Sequence, residues 1–346
     1  MSSRLLPLAA VGIQLLLLAP ASSHAQSFST QKFDIGGEGG TDYLTAEPGT
    51  GRVFISRSTH VMVVDGATGR LLGDIADTPR VHGIALVPKW HRGFTTNAGD
   101  STVTIFDLAT LASIQKVRIP TGGLDGIMYD PSSDRVVLTN HSRPIGTVVV
   151  INPSSGAITG TVDLEDTAPE GAASDGAGKL FVNNEGTSTL QVLDAAAMRA
   201  TASWSLAPCD GPTGIAFDAQ NHLIISGCSG TTIVTDAETG SRVATIPNGD
   251  GVDALGWDPV EKLIYVPAGG DGNVTVAHQD GRDRYSVIAT VPTVAGAKTI
   301  AVDPLRHVAY LFQPEYGPVP TPPAGTTPNR RQRGPIVASW LVVVRH

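Results

Sequence analysis

The sequence predicts an all-β chain, a seven-bladed β-propeller with four antiparallel strands per blade, on three observations. First, one pattern of short apolar strands recurs seven times, at intervals of 40, 43, 45, 43, 40 and 45 residues. A period in the low forties with four strands per unit is that of a propeller blade. Second, 39 Gly and 24 Pro in 346 residues, with only 5% aromatic residues, suit many short strands joined by tight turns. Third, the two chain ends carry complementary pieces of one unit.

The clearest unit is Val81–Asp130. It opens on a short apolar strand, "VHGIALVP", and a second strand ends at Thr96-Asn97. A Gly-Asp loop, a third strand to Asp107 and a fourth strand follow before "LDGIMYDP" restarts the pattern. The other first strands are "TDYLTAEP", "PEGAASDG", "PTGIAFDA", "VDALGWDP" and "AKTIAVDP". Second strands such as "RVFISR", "RVVLTN" and "KLFVNN" each open on Arg, Lys or His. Six first strands close on an acid: Glu47, Asp130, Asp175, Asp218, Asp258 and Asp303. The acid and base lie four or five residues apart across a turn. They read as turn specification, an exposed pair of roughly 0–1 kcal/mol, with Asp also able to bond the backbone of its own turn.

The seventh copy lacks a fourth strand after "ASWLVVV". "QKFDIGGEGGTDYL" at Gln31–Leu44 matches "QKVRIPTGGLDGIM" at Gln115–Met128, so Phe28–Ile35 is expected to complete the last blade and close the ring. First strands should be innermost. There, neighbouring blades crowd, which suits Gly83, Gly126, Gly171, Gly214 and Ala254 at one shared position. Ile84, Ile127, Ile215, Leu255 and Ile300 are expected to pack blade against blade, because one blade alone holds no core.

Residues 1–25 read as a secretory signal, with Arg4, an apolar stretch Leu5–Ala19 and a small-x-small site at Ser23-His24-Ala25; the alternative is an uncleaved anchor. Residues 26–346 then form one propeller domain, delivered to the periplasm or the extracellular medium. No second segment is long enough to span a bilayer. Net charge is −8, which argues against a nucleic-acid or anionic-membrane binder. Cys209 and Cys228, 19 apart, read as one disulfide worth roughly 3 kcal/mol, or as two free thiols. The Pro-rich stretch Gln313–Pro335 in blade 7 carries Arg330, Arg331 and Arg333. It reads as an irregular surface loop, or as a lid or partner-docking loop.

Leu138-Thr139-Asn140, Phe181-Val182-Asn183-Asn184, Phe94-Thr95-Thr96-Asn97 and Tyr265-Val266-Pro267 look like a "YVTN" signature, with matching Asp-Pro and Asp-x-x-Thr-Gly turns. On these segments the chain resembles the YncE-like, YVTN-repeat family of seven-bladed propellers over nearly all of residues 26–346. The resemblance implies an exported propeller and no particular reaction. Related lactonase-type and virginiamycin-lyase-type propellers include enzymes, an analogy of fold alone.

Strand order brings the second residue of each first strand to one mouth of the channel: Asp42, His82, Asp125, Glu170, Thr213, Asp253 and Lys298. Second-strand ends add Arg57, Asn97, Asn140 and Asn184, with His60 and His141 nearby. Converging carboxylates suit a hard divalent cation, calcium or magnesium, on Asp42, Asp125, Glu170 and Asp253. His82 is a further ligand or a proton carrier, and crowded acids raise at least one pKa. The plain alternative is a polar, water-filled funnel. Among other motifs there is no His-Glu-x-x-His, Gly-x-Ser-x-Gly, phosphate loop, EF-hand or haem-attachment Cys-x-x-Cys-His. The expected function is a monomeric binding scaffold for a protein or small ligand at the acidic mouth. The alternative is a metal-assisted lactonase or lyase with His82 or His141 as acid/base.

Overall fold

The computed structural model describes residues 27–320 and 333–346. The expected signal at 1–25, and Arg330 and Arg331, lie outside the described residues. Seven four-stranded antiparallel sheets follow one another around a ring. Blade 1 runs through Leu44–Ala46, Arg52–Ser56, Val61–Asp65 and Leu71–Ile75; blade 2 through Val81–Val87, Arg92–Asn97, Thr102–Asp107 and Ser113–Arg118. Blades 3 to 6 repeat that order, beginning at Leu124, Pro169, Ile215 and Gly256. The one helical element among the described residues is a single turn, Pro88–Trp90. None of their helices is long and apolar enough to cross a membrane.

Blade 7 joins the two ends of the chain. Ile300–Asp303, Val308–Tyr316 and Ile336–Arg345 supply three strands, and Ser29–Asp34 pairs along the last, from Ser29 opposite Arg345 to Asp34 opposite Trp340. The sheet edge that the seventh repeat would expose is thereby covered.

Why middle strands read as nearly unbroken apolar runs follows from the packing. Blades stack face to face, so both faces of each middle strand are buried and alternate residues serve opposite neighbours. Leu263 and Tyr265 pack toward blade 7, whereas Ile264 and Val266 pack toward blade 5. Seven apolar clusters result, one at each blade–blade interface. Fourth strands lie outermost and are largely exposed, as in Ser113–Arg118. The glycine column is tight as expected. A Cβ on Gly83 would stand 2.8 Å from Ile127 Cγ2, and one on Gly214 2.3 Å from the Ala254 carbonyl carbon.

Two expectations need correction, and a third is met with an addition. The acids closing the first strands are mostly not exposed partners of the following base. Asp130, Asp218, Asp258 and Asp303 are buried and accept N–H groups of their own turns, as Asp258 does from Val260 at 2.9 Å and Glu261 at 3.1 Å. Glu47 alone among the six ion-pairs with the base across its turn, Arg52 at 2.6 Å, among the described residues. A short Asp side chain satisfies two turn amides at once, which a distant base cannot do. Second, the blade-7 segment is regular as far as Tyr316, with Gln313 opposite Trp340 and Tyr316 opposite Ile336. Pro314 is tolerated there because it lies in an extension of the hairpin beyond the ends of Ile300–Asp303 and Ser29–Asp34. Third, Ile84, Ile127, Ile215, Leu255 and Ile300 do more than join blades: they also line the channel.

Candidate functional site at the channel mouth

The residue before the last in several second strands fixes the mouth backbone. Thr96 Oγ1 accepts from Gly83 N at 2.8 Å and donates to Asp125 O in the next blade. Thr139 Oγ1 donates to Glu170 O at 2.8 Å, and Asn183 Nδ2 to Gly214 O at 3.0 Å. In blade 1, Ser56 Oγ accepts from Asp42 N at 2.9 Å and Tyr43 N at 3.1 Å. This column sets where each mouth side chain starts.

The following column has a different task. Asn97, Asn140 and Asn184 are fully buried, and their amides donate to Thr104 at 2.8 Å, Thr147 at 2.9 Å and Gln191 at 3.1 Å of their own blades. These asparagines, expected at the mouth as ligands, hold second and third strands together instead. Arg57 is also fully buried. It donates to Gly36 O, Gly37 O and Gly39 O, each at 2.9 Å, and to Ser339 Oγ at 3.0 Å. It clasps the entering chain to blades 1 and 7. His60 stands 3.5 Å from Asp74, away from the central cluster.

What remains at the mouth is a circuit of alternating charge around the ring. Lys298 of blade 7 bridges Asp253 of blade 6 and Asp42 of blade 1, the latter at 3.0 Å. His82 Nδ1 lies 2.5 Å from Asp42 Oδ2 and 3.7 Å from Asp125 Oδ1. His141 Nε2 lies 3.3 Å from Asp125 Oδ2 and 3.1 Å from Glu170 Oε1. Thr213 of blade 5 closes the gap by donating to Val252 O at 3.2 Å. His141 owes its place to Gly123, which accepts its N–H at 2.7 Å. Gly123 has φ +60°, and a Cβ there would lie 1.8 Å from the His141 carbonyl oxygen, so only glycine fits.

Each charge is tuned by its neighbours. Burial opposes ionisation of Asp42, yet His82 and Lys298 outweigh it and lower this carboxyl to about 2. Burial disfavours charge on both imidazoles as well; Asp125 and Asp42 nevertheless raise His82 to about 10, and Glu170 and Asp125 raise His141 to about 9. Glu170 is raised to about 7 by burial and the charge of Asp125, against the pull of His141. Burial also raises Asp253, despite Lys298.

Tyr43 is a site residue that sequence reasoning overlooked. It occupies the column held by glycine in blades 2 to 5, and its strand begins only at Leu44. Its hydroxyl reaches Glu170 Oε2 at 3.1 Å, 127 residues away. Burial, then the carboxylates around it, push the phenol well above its ordinary value. An aromatic residue in a glycine column was the signal that could have found it. Beneath it lies an apolar cavity of about 160 Å³, lined by Tyr43, Ile84, Ile127, Ile215, Leu255 and Ile300.

Cys209 and Cys228 are joined in a disulfide, with Cα atoms 5.7 Å apart, in the apolar cluster between blades 4 and 5. Arg333 donates to the Tyr316 hydroxyl at 2.9 Å and lies over its ring at 5.0 Å, so it is tied to the blade-7 hairpin.

No protein-family model matches the chain, and no curated protein matches it. Solved structures do. The chain is similar to a structure titled Kuenenia stuttgartiensis Hydrazine Synthase, with 17% identity, TM-score 0.69, and 80% of this chain and 93% of that one covered. The RRP9 WD40 repeats give 11% identity and TM-score 0.75 over 91% and 97%. A chain of the Mitotic Checkpoint Complex gives 16% identity and TM-score 0.71 over 88% and 96%. At such identities the likeness shows one thing, the propeller fold.

Proposed function

We propose that this chain is a binding propeller, a monomer of the YncE-like, YVTN-repeat kind, exported to the periplasm or beyond, that takes its ligand at the channel mouth. One observation carries the reading. Asp42, Asp125 and Glu170 converge there with His82 and His141, and the buried Asp125 Oδ1 has no hydrogen-bond partner, where buried polar atoms are nearly always paired. They point to a small polar ligand, and the surrounding carboxylates to a cationic one, a divalent metal ion. The mouth is thus a binding site rather than a funnel. The blade-7 hairpin, which carries Tyr316 and Arg333, is the surface proposed for a protein partner; that one similar propeller belongs to a complex agrees with such a role. A net charge of −8 argues against a nucleic-acid partner.

The test is calorimetric titration of the purified protein with calcium, magnesium and zinc, repeated on Asp125→Asn. Micromolar binding by at least one ion, lost in the variant, is expected. Absence of heat with all three would sink the reading. A second reading, a metal-assisted lactonase or lyase, is favoured by Glu170, raised to about 7 beside His141 and so placed to exchange protons near neutral pH. Turnover of lactone or ester substrates by metal-loaded protein, absent in Glu170→Gln, would establish it.

A further inference from the structure

We infer that the mouth is a binuclear centre for two late first-row divalent ions, zinc or cobalt, bridged by Asp125. The inference rests on reading the mouth as a binding site and adds the number and class of ions. Two clusters of donors meet there, Asp42–His82–Asp125 and Asp125–His141–Glu170, and within each the donor atoms all lie within 4.8 Å of one another. Ligands held at about 2.0–2.2 Å from one tetrahedral ion sit only about 3.3–3.5 Å apart, so small movements would close either cluster on a metal.

Asp125 is common to both, and its two oxygens face opposite ways. Oδ1 is turned toward His82 and Oδ2 toward His141. The carboxylate is 8% exposed, and its Oδ1 has no hydrogen-bond partner. The two imidazoles that face it are ion-paired at the edge of each cluster, His82 Nδ1 at 2.5 Å from Asp42 and His141 Nε2 at 3.1 Å from Glu170. A metal entering either cluster would displace the imidazole proton, and the paired carboxylate would become a ligand beside the imidazole.

The outer carboxylates divide their oxygens in the same manner. Asp42 gives Oδ1 to Lys298 at 3.0 Å and turns Oδ2 to the His82 cluster. Glu170 gives Oε2 to the Tyr43 hydroxyl at 3.1 Å and turns Oε1 to the His141 cluster. One oxygen of each is fixed by an outer donor and the other is left for a metal, the arrangement that orients metal ligands. Asp253 lies outside both donor clusters and is not counted among the ligands. One imidazole per cluster selects zinc or cobalt over calcium and magnesium, which take oxygen alone.

The experiment counts metal. Protein stripped with chelator is dialysed against zinc, and separately against cobalt(II), and metal per chain is measured by mass spectrometry. Two ions per chain are expected. His82→Gln and His141→Gln should each retain one, and Asp125→Asn should lose at least 100-fold in affinity for both. Asp42→Asn and Glu170→Gln repeat the count from the outer ligands. Both His side chains are partly open to solvent, 22% and 34% exposed. Circular dichroism and a urea midpoint in metal-free buffer establish that each variant folds. One ion per chain, lost with either histidine, would overturn the pair while leaving the mouth a binding site. Two ions retained by both histidine variants would overturn the ligand assignment. No bound ion would overturn the pair and the binding reading together.

Discussion

The two ends of the propeller use the same residue types for opposite purposes. At the turn-bearing end, an acid recurs at one position in six first strands, and in most of them it does one thing: it accepts the amides of its own turn. At the mouth the acids also recur at one position, but the partner changes around the ring: Lys298 for Asp253, Lys298 and His82 for Asp42, His82 and His141 for Asp125, and His141 for Glu170. Repetition with a repeated partner is scaffold. Repetition with a changing partner is where chemistry concentrates, because ring closure brings unlike copies face to face.

Three substitutions sharpen that contrast. The largest loss is expected where the ring is clasped. Arg57→Met leaves three glycine carbonyls without their donor and should lower unfolding free energy by about 3 kcal/mol, read from the urea midpoint. Next comes the turn end. Asp130 is buried and accepts from the Ser132 and Ser133 hydroxyls at 2.7 and 2.6 Å. Asp130→Ala should cost about 1–3 kcal/mol at neutral pH. Burial works against the ionised carboxyl, but these donors hold its pKa below the ordinary value. The folded pKa being depressed, the stabilisation is complete above about pH 4 and fades as pH falls through the folded value. The gap between wild type and variant should therefore narrow in acid, and a gap that widens would contradict the assignment. The smallest loss is expected at the mouth. Lys298 is 38% exposed on its side chain, and Lys298→Met should cost no more than about 1 kcal/mol. A cost above that of Asp130→Ala would erase the distinction between the two ends.

The architecture was legible because repetition reports packing. Seven copies expose the blade, and the match of Gln31–Leu44 to Gln115–Met128 exposes the closing strand. The glycine column was readable for the same reason, since close approach at the hub leaves no room for a Cβ. The turn acids were placed in the right turns with two partners open, the following base and the turn's own amides. Sequence spacing shows that Asp130 and Arg135 are near each other, but not that the nearer amides win.

The sequence by itself determined the blade count, the closing strand and the first-strand column whose side chains start at the mouth. Tertiary structure alone decided which of them meet. Lys298 reaches Asp42 across 256 residues and Tyr43 reaches Glu170 across 127, contacts that exist only after the ring has closed. It also turned Asn97, Asn140 and Asn184 into their blades and Arg57 onto the entering chain, and left His82 and His141 between carboxylates. The physical reason is that a repeat sets backbone position to within a column, whereas side-chain partners depend on which columns the curvature of the ring brings together.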